Sequence, residues 1–509
     1  NRHCADSLSF GSLALTLSLD NGGVSVLPPE QPRCPMGFSE ELFFAPAGRL
    51  VALLKAREIS AAEITQQFFK RIDALNPGLN AVITLVKERA TREAAESDRR
   101  LARTGEARPL EGLPVTIKDS IITEGVRSTW GMKIFEDYVS DTDAPVVARL
   151  RAAGAVVLGK TNTPEMTFDY DCDNPLFGPT RNPWNRERVP GGSSGGEAAA
   201  LAAGMSPLGL GSDYGGSIRV PAHFCGIVGL KPSWGTIPLA GHMSPGPAAP
   251  PGIAHMATLG PMARYVDDLT LAYNVIKGAH WSAPYTAPTP EAHPERIEVR
   301  KLRCAFFTAG GGEVPVARDI RAATERAARA LARSGLKVEE AQPPIQDAAR
   351  LWMAYAMADG GTLLRQTLGD KINLSRERLR NGLLAPSEPK SAAEFFLASI
   401  ARDTFRVELA KFMERYPILV CPPFCATAFA EGRQTVDIDG KEYPLFTANW
   451  PVLFGNCAGL PGAVVPAGCD HQGLPTGVQV VGRAFAEEEV LAVAKLLEQE
   501  LGGFQSPAI

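Results

Sequence analysis

Between residues 174 and 216 the chain crowds proline, glycine and serine around two short runs, 197–203 and 207–211. Asn182-Pro183 and Pro190-Gly-Gly-Ser-Ser-Gly-Gly196 break any helix or central strand that would cross them. This zone must therefore be loop, pinned at intervals by one short helix (197–203) and one short strand (207–211). The scaffold that holds it has to come from the sequence on either side.

That scaffold reads as alternating elements. From 39 to 103 apolar residues recur at three and four spacing, as in Leu50, Leu53, Leu54 and Ile64, Phe68, Ile72, which predicts helices. The Asn76-Pro77-Gly78 turn is expected to end one of them. The run 113–118 reads as a buried strand that delivers Lys118 at its end, 144–153 as a helix and 155–158 as a strand. Farther on come strands at 302–307, 336–340, 418–421, 462–466 and 476–481, with helices at 317–333 and from Glu487. Strands alternating with helices place the chain in the α/β class. Residues 241–260 read as a Pro/Gly-rich lid loop and 281–294 as a connector. Residues 1–38 show no helical period and are expected to be a tail, poorly ordered or not native. The remainder, 39–509, is expected to form a single domain.

The charge balance, 52 basic against 56 acidic residues, gives no pull towards nucleic acid or anionic membrane. No run approaches the ~20 apolar residues of a membrane span. Nine scattered cysteines without a CxxC pair argue against a zinc site or a disulfide framework and for reduced thiols in a cytoplasmic protein.

Two short motifs are decoys. Gly154-Ala-Val-Val-Leu-Gly159-Lys160-Thr161 fits a phosphate loop, but its intervening residues are themselves strand-like, and Asn162-Thr-Pro164 follows where a long helix is required. Lys160 is therefore read as structural. Gly192-Ser193-Ser194-Gly195-Gly196 fits the nucleophile elbow of α/β-hydrolases, yet polar Asn185-Arg-Glu-Arg-Val-Pro190 precedes it where a hydrophobic strand is needed.

Three segments stand together: Glu111-Gly-Leu-Pro-Val-Thr-Ile-Lys118-Asp119, Pro190-Gly-Gly-Ser193-Ser194-Gly-Gly-Glu197 and Gly211-Ser-Asp213-Tyr-Gly-Gly-Ser217-Ile-Arg219-Val-Pro221. They resemble the signature of the amidase signature family, and the resemblance extends over nearly all of the chain from about Ser39. The stretch Thr161 to Trp184 and Glu197 look most like the fatty-acid-amide-hydrolase branch. The resemblance implies a many-stranded mixed sheet flanked by helices, with no metal or organic cofactor. It implies a catalytic triad of Lys118, Ser193 and Ser217. Ser217 is the nucleophile, Ser193 the bridging serine on a cis peptide, and Lys118 the base.

Each position has an ordinary reading as well. Lys118 could be a surface lysine, Ser193 and Ser194 turn residues, and Ser217 a helix N-cap. To act as a base Lys118 must be neutral, whereas its ordinary pKa near ~10.4 would leave it charged at pH 7. Burial lowers that value, and Asp119 should point away from the amine. Tyr214, Gly215, Gly216 and Ser217 are the candidate oxyanion hole. Ser194, Asp213 and Arg219 read as support. Thr167, Phe168, Tyr170, Tyr214, His242 and Met243 are candidates to contact substrate.

The implied activity is hydrolysis of hydrophobic or aryl amides, with aryl esters and carbamates (urethanes) open to the same acyl transfer. The partners implied are a small-molecule substrate and at most a second copy of the chain. Two rivals share the resemblance: the A-type subunit of a tRNA-dependent amidotransferase, and a non-catalytic binding protein. The neutral charge balance and Glu197 weigh against the first, and the intact triad against the second.

Overall fold

A computed structural model describes residues 38–242, 251–385 and 387–509. Thirteen strands occur among them, in chain order β1 (Val82–Leu85), β2 (Pro114–Lys118), β3 (Val156–Thr161), β4 (Leu208–Asp213), β5 (Val228–Lys231), β6 (Thr258–Ala263), β7 (Arg303–Phe306), β8 (Lys337–Glu340), β9 (Ile418–Cys421), β10 (Thr435–Ile438), β11 (Lys441–Pro444), β12 (Gly462–Cys469) and β13 (Pro475–Gly482). Eleven form one sheet in the order β1-β3-β2-β4-β6-β5-β12-β13-β9-β7-β8, while β10 and β11 make a separate hairpin. The sheet is mixed. β2 runs parallel to both β3 and β4, and β4, β6, β5, β12 and β13 alternate in direction. Helices cover both faces, and the central strands are accordingly apolar or small throughout rather than alternating.

The expected elements are present; besides the strands β5, β10 and β11, which the sequence reading does not include, three differences stand out. The helix Ala61–Leu79 does not stop at Asn76 but runs through Pro77 and ends at Asn80, which adopts a left-handed φ of 52°. Proline so close to a helix end interrupts little, because few hydrogen bonds remain to be made beyond it. Asn76 instead organises the exit: its side chain accepts from the Ala81 and Val82 N–H groups and donates to the Val82 carbonyl. That exit leads into β1, which the helical reading of 39–103 passed over. Four apolar-rich residues between two helices carry no period of their own. Third, the stretch read as a lid to residue 260 already contains a helical turn at Pro251–Ala254 and the start of β6. Residues 243–250 of that stretch, with Met243, lie outside the described residues, as does most of the expected tail.

The parallel trio β3-β2-β4 positions the site. Thr116 faces Gly209 and Ile117 faces Leu210 across β2 and β4, so the two strands finish side by side. Parallel strands expose their carboxyl ends to one crevice. Here those ends are Lys118 and the pair Ser212 and Asp213. Lys160, the lysine of the phosphate-loop match, lies within β3. Its amine is held by the Asp119 carbonyl at 3.2 Å, the Ile121 carbonyl at 2.5 Å and Ser128 Oγ at 2.8 Å, so it fastens the turn after β2.

Candidate active site

Lys118 is wholly buried. Its amine lies 2.6 Å from Ser193 Oγ and 2.9 Å from Ser212 Oγ, and no carboxylate hydrogen-bonds it. Burial lowers its pKa to about 7. The nearest carboxyls are tied elsewhere. Asp119 turns its Oδ2 to the backbone and hydroxyl of Thr129 at 2.9 and 2.8 Å. Glu197 accepts from the Thr116 and Thr161 hydroxyls, the latter at 2.8 Å, and burial raises it to about 7. The Gly209 position admits no side chain, since a Cβ there would lie 1.9 Å from Glu197 Oε1. The Cys172 thiol is pushed up to about 12 by burial and stays neutral. His242 Nδ1–H donates to the Ser120 carbonyl, 3.1 Å away, and burial, with Lys118 beside it, lowers it to about 3. An imidazole with that value is neutral and a poor base.

Ser193 follows a cis Gly192–Ser193 peptide, and its carbonyl accepts from Thr163 Oγ1 at 2.9 Å. Ser194 locks the same turn to β4. Its N–H donates to the Ser217 carbonyl at 3.1 Å, and its hydroxyl lies 3.3 Å from both the N–H and the carbonyl of Ser212. Gly192 is needed where it is: a Cβ would meet the Asp169 carbonyl at 2.0 Å.

Asp213 and Arg219 build the loop that carries Ser217. Both are fully buried. The guanidinium grips the carboxylate with Nε at 3.0 Å and Nη2 at 2.9 Å, and reaches the Val452 carbonyl and Gln479 Oε1 at 3.0 and 2.7 Å. Burial alone would raise the Asp213 carboxyl, but Arg219 overrides it and holds it well below the usual range. Asn456 completes the cage, donating to Asp213 Oδ1 at 2.9 Å. The same carboxylate accepts from the N–H groups of Ile218 at 3.1 Å and Arg219 at 3.4 Å, capping the helix Arg219–Cys225. Ser217 therefore caps nothing.

One expectation is corrected. The Gly216 N–H is not available to an oxyanion, because it donates to Asp213 Oδ1 at 2.9 Å. A charge-assisted bond of this kind is roughly twice as strong as a neutral one, so the donor is already engaged in the buried ion pair. Among the described residues, no hydrogen bond uses the N–H groups of Tyr214, Gly215 or Ser217. Carbonyls of the same loop are held from outside: Tyr214 by the Trp352 indole at 3.0 Å, and Gly215 by the Tyr170 hydroxyl. Asn449 in turn donates to that hydroxyl at 2.8 Å.

A pocket opens over this loop. Ser193, Ser212 and Ser217 sit on its wall with Thr167, Phe168, Tyr170, Tyr214 and His242, so the described substrate candidates do share one pocket with the serines. Sequence reasoning missed Trp352, Met357, Leu364, Leu383, Phe446 and Asn449, which line it as well. These come from distant segments with no local signal beyond an apolar helix face. Ser212 stood inside a quoted motif, and its place on a strand ending beside Lys118 was the signal available. Among the described residues no group of three His, Cys, Asp or Glu side chains is placed to hold a metal ion, and no helix is long and apolar enough to cross a membrane.

The family profile described as Amidase matches residues 63–491. The A-type subunit of the glutamyl-tRNA(Gln) amidotransferase from Carboxydothermus hydrogenoformans is 33% identical over 90% of this chain and 98% of its own. An indoleacetamide hydrolase from Bradyrhizobium diazoefficiens is 33% identical over 89% of this chain and 85% of its own. Among solved structures, a bacterial aryl acylamidase of the amidase signature family superposes with a TM-score of 0.79, at 27% identity, covering 90% of this chain and 96% of that one. A mixed eleven-stranded sheet and a profile match over most of the sequence lead to one conclusion: the chain belongs to the amidase signature family.

Proposed function

We propose that the chain hydrolyses amides of hydrophobic small molecules through an acyl-enzyme on Ser217. The observation that carries this reading is the buried Lys118 amine, 2.6 Å from Ser193 Oγ and without a carboxylate partner. A neutral amine so placed keeps its lone pair for the Ser193 hydroxyl while donating to Ser212. Ser217 Oγ attacks the acyl carbon, its proton passes to Ser193, and the Ser193 proton passes to Lys118. The oxyanion is met by N–H groups of the 214–217 loop other than that of Gly216. The C–N bond then breaks as the proton returns through Ser193 to the leaving nitrogen. Water repeats the relay on the ester and frees Ser217.

The apolar wall made by Phe168, Trp352, Met357, Leu364, Leu383 and Phe446 favours an aryl or alkyl group on the substrate. Aryl esters and carbamates present the same acyl carbon with a good leaving group, and carbamate cleavage is part of the proposal. The test is a panel of p-nitroanilides, fatty amides and aryl carbamates, with Ser217→Ala as control. Wild-type turnover should vanish in the variant together with covalent labelling by a fluorophosphonate. A folded Ser217→Ala protein that keeps full activity refutes the reading.

The relatives that are A-type subunits of glutamyl-tRNA(Gln) amidotransferases support a second reading, in which a bound glutamine is the amide cleaved. Glutaminase activity that depends on ATP and a misacylated tRNA, with no turnover of the hydrophobic panel, would favour it.

A further inference from the structure

Beside the catalytic pocket lies a second cavity that shares Phe168, Asp169, Leu383 and Phe446 with it. The two differ in character. The first is mainly apolar, whereas the second carries four carboxylates, Glu165, Asp169, Asp171 and Asp173, against two guanidiniums, Arg376 and Arg378. Both guanidiniums are already committed. Arg376 pairs with Asp173, Nη2 to Oδ1 at 3.0 Å, and Arg378 pairs with Asp169 at 2.8 Å.

Asp171 and Glu165 are left without a side-chain cation bonded to them. Asp171 is only 4% exposed, and its Oδ2 accepts from the Gly432 N–H at 2.7 Å. Its Oδ1 is buried with no hydrogen-bond partner among the described residues. Glu165 repeats the pattern at 6% exposure: Oε2 accepts from the Arg376 N–H at 3.1 Å, and Oε1 has no partner among the described residues. A buried carboxylate oxygen without a partner is unfavourable unless a positive group reaches it. Burial, with Asp169, Asp173 and Glu431 around it, holds Asp171 at about 6, so near neutrality it carries charge.

Position ties this cavity to the reaction. Tyr170, the preceding residue, holds the Gly215 carbonyl of the catalytic loop, and Asp171 lines the side cavity. Phe168 and Phe446, stacked with ring centroids 5.7 Å apart, line both cavities, so a substrate chain in the first lies against the wall of the second. We propose that the side cavity is a subsite for a primary or secondary ammonium carried by the substrate, bound by the carboxylates of Asp171 and Glu165 that line it. The proposal rests on the hydrolase reading above and narrows its substrates to amides with a cationic end. The ammonium can belong to the acyl part or to the amine part.

Two matched pairs of probes separate these sources. For the acyl side, 6-aminohexanoyl p-nitroanilide is compared with heptanoyl p-nitroanilide, and for the amine side N-(5-aminopentyl)benzamide with N-hexylbenzamide. Each pair differs by ammonium against methyl. In the wild type the ammonium member of at least one pair should show a kcat/KM about tenfold or more higher, as expected of a charge-assisted contact. In Asp171→Asn the ratio should fall towards one, and Glu165→Gln should lower it independently if the first variant does not fold. A ratio near one in both pairs for the wild type, or a ratio unchanged in both folded variants, overturns the subsite while leaving the hydrolase reading intact. If neither pair is hydrolysed, the hydrolase reading fails and the subsite is read by calorimetry. n-Hexylammonium should then bind wild-type protein about tenfold tighter than 1-hexanol. Equal affinities overturn it.

Discussion

Lys118 should make activity and stability respond in opposite directions when it is replaced by methionine. An ordinary lysine at pKa 10.5 is neutral to the extent of about one part in three thousand at pH 7. At the value of about 7 that burial gives Lys118, about half of the molecules hold the amine ready as a base. kcat/KM should therefore climb about tenfold per pH unit up to about pH 7 and flatten above it. The stability sign is the reverse of the usual carboxylate case. Between about 7 and 10.5 the unfolded chain holds a proton that the folded one does not, so stability rises with pH through that window. At pH 7 the burial of this amine costs on the order of 4 kcal/mol relative to its full release at alkaline pH. Lys118→Met is close in length and carries no proton. Its kcat should fall by about three orders of magnitude, as expected when an essential base is removed, while its melting temperature at pH 7 rises. The lost contacts to Ser193 and Ser212 subtract about 2 kcal/mol from that gain. The stability advantage should shrink towards pH 10. Pre-steady-state acylation of a p-nitroanilide and thermal melts between pH 6 and 10 measure both. A variant that is less stable than wild type by the same amount at every pH, or a wild-type limb that keeps rising well past pH 7, would show that Lys118 is charged in the folded protein; a flat limb would show that Lys118 is not the titrating base, and each result refutes the argument.

Glu197 is the control for that profile, because it too titrates at about 7 and the two groups share macroscopic pKa values. Glu197→Gln removes a carboxylate that favours the lysine cation, so the acid limb should persist and move to lower pH; loss of the limb would assign it to Glu197. Arg219→Met strands the buried Asp213 carboxylate and should lower stability by about 3–5 kcal/mol, read from urea unfolding. A loss under 1 kcal/mol would mean that water or another cation reaches Asp213.

Much of this site could be read from the sequence because it lies on three local segments. An apolar strand ending in Lys118, a glycine-rich turn at Ser193 and a second at Ser217 each announce themselves by residue type. The contacts that finish the site could not be read, since they are made across the fold. Asn456 and Gln479 complete the Asp213–Arg219 cage from more than two hundred residues away. The Gly216 error has the same origin. Glycine at that position promises an open N–H, and only the placement of Asp213, three residues earlier and drawn in by Arg219, shows that the donor is taken. Pro77 misled in the other direction, since a helix breaker near a helix end breaks almost nothing.

The same cage explains why the lysine can be neutral at all. The carboxyl end of the parallel trio β3-β2-β4 is crowded with carboxylates in this chain, Asp119, Glu197 and Asp213 all lying near Lys118. A carboxylate bonded directly to the amine would hold it charged. Glu197 is held by two threonine hydroxyls on β2 and β3 and Asp213 by a guanidinium from the helix that follows Ser217, while Asp119 turns Oδ2 to the Thr129 backbone and hydroxyl and keeps Oδ1 without a hydrogen-bond partner among the described residues. The support residues are therefore electrostatic as much as structural. Arg219→Met should consequently raise the acid limb of kcat/KM as well as lower stability, because the freed Asp213 charge would then favour the Lys118 cation. A destabilised but active variant with an unmoved limb would separate the two roles and limit Arg219 to packing.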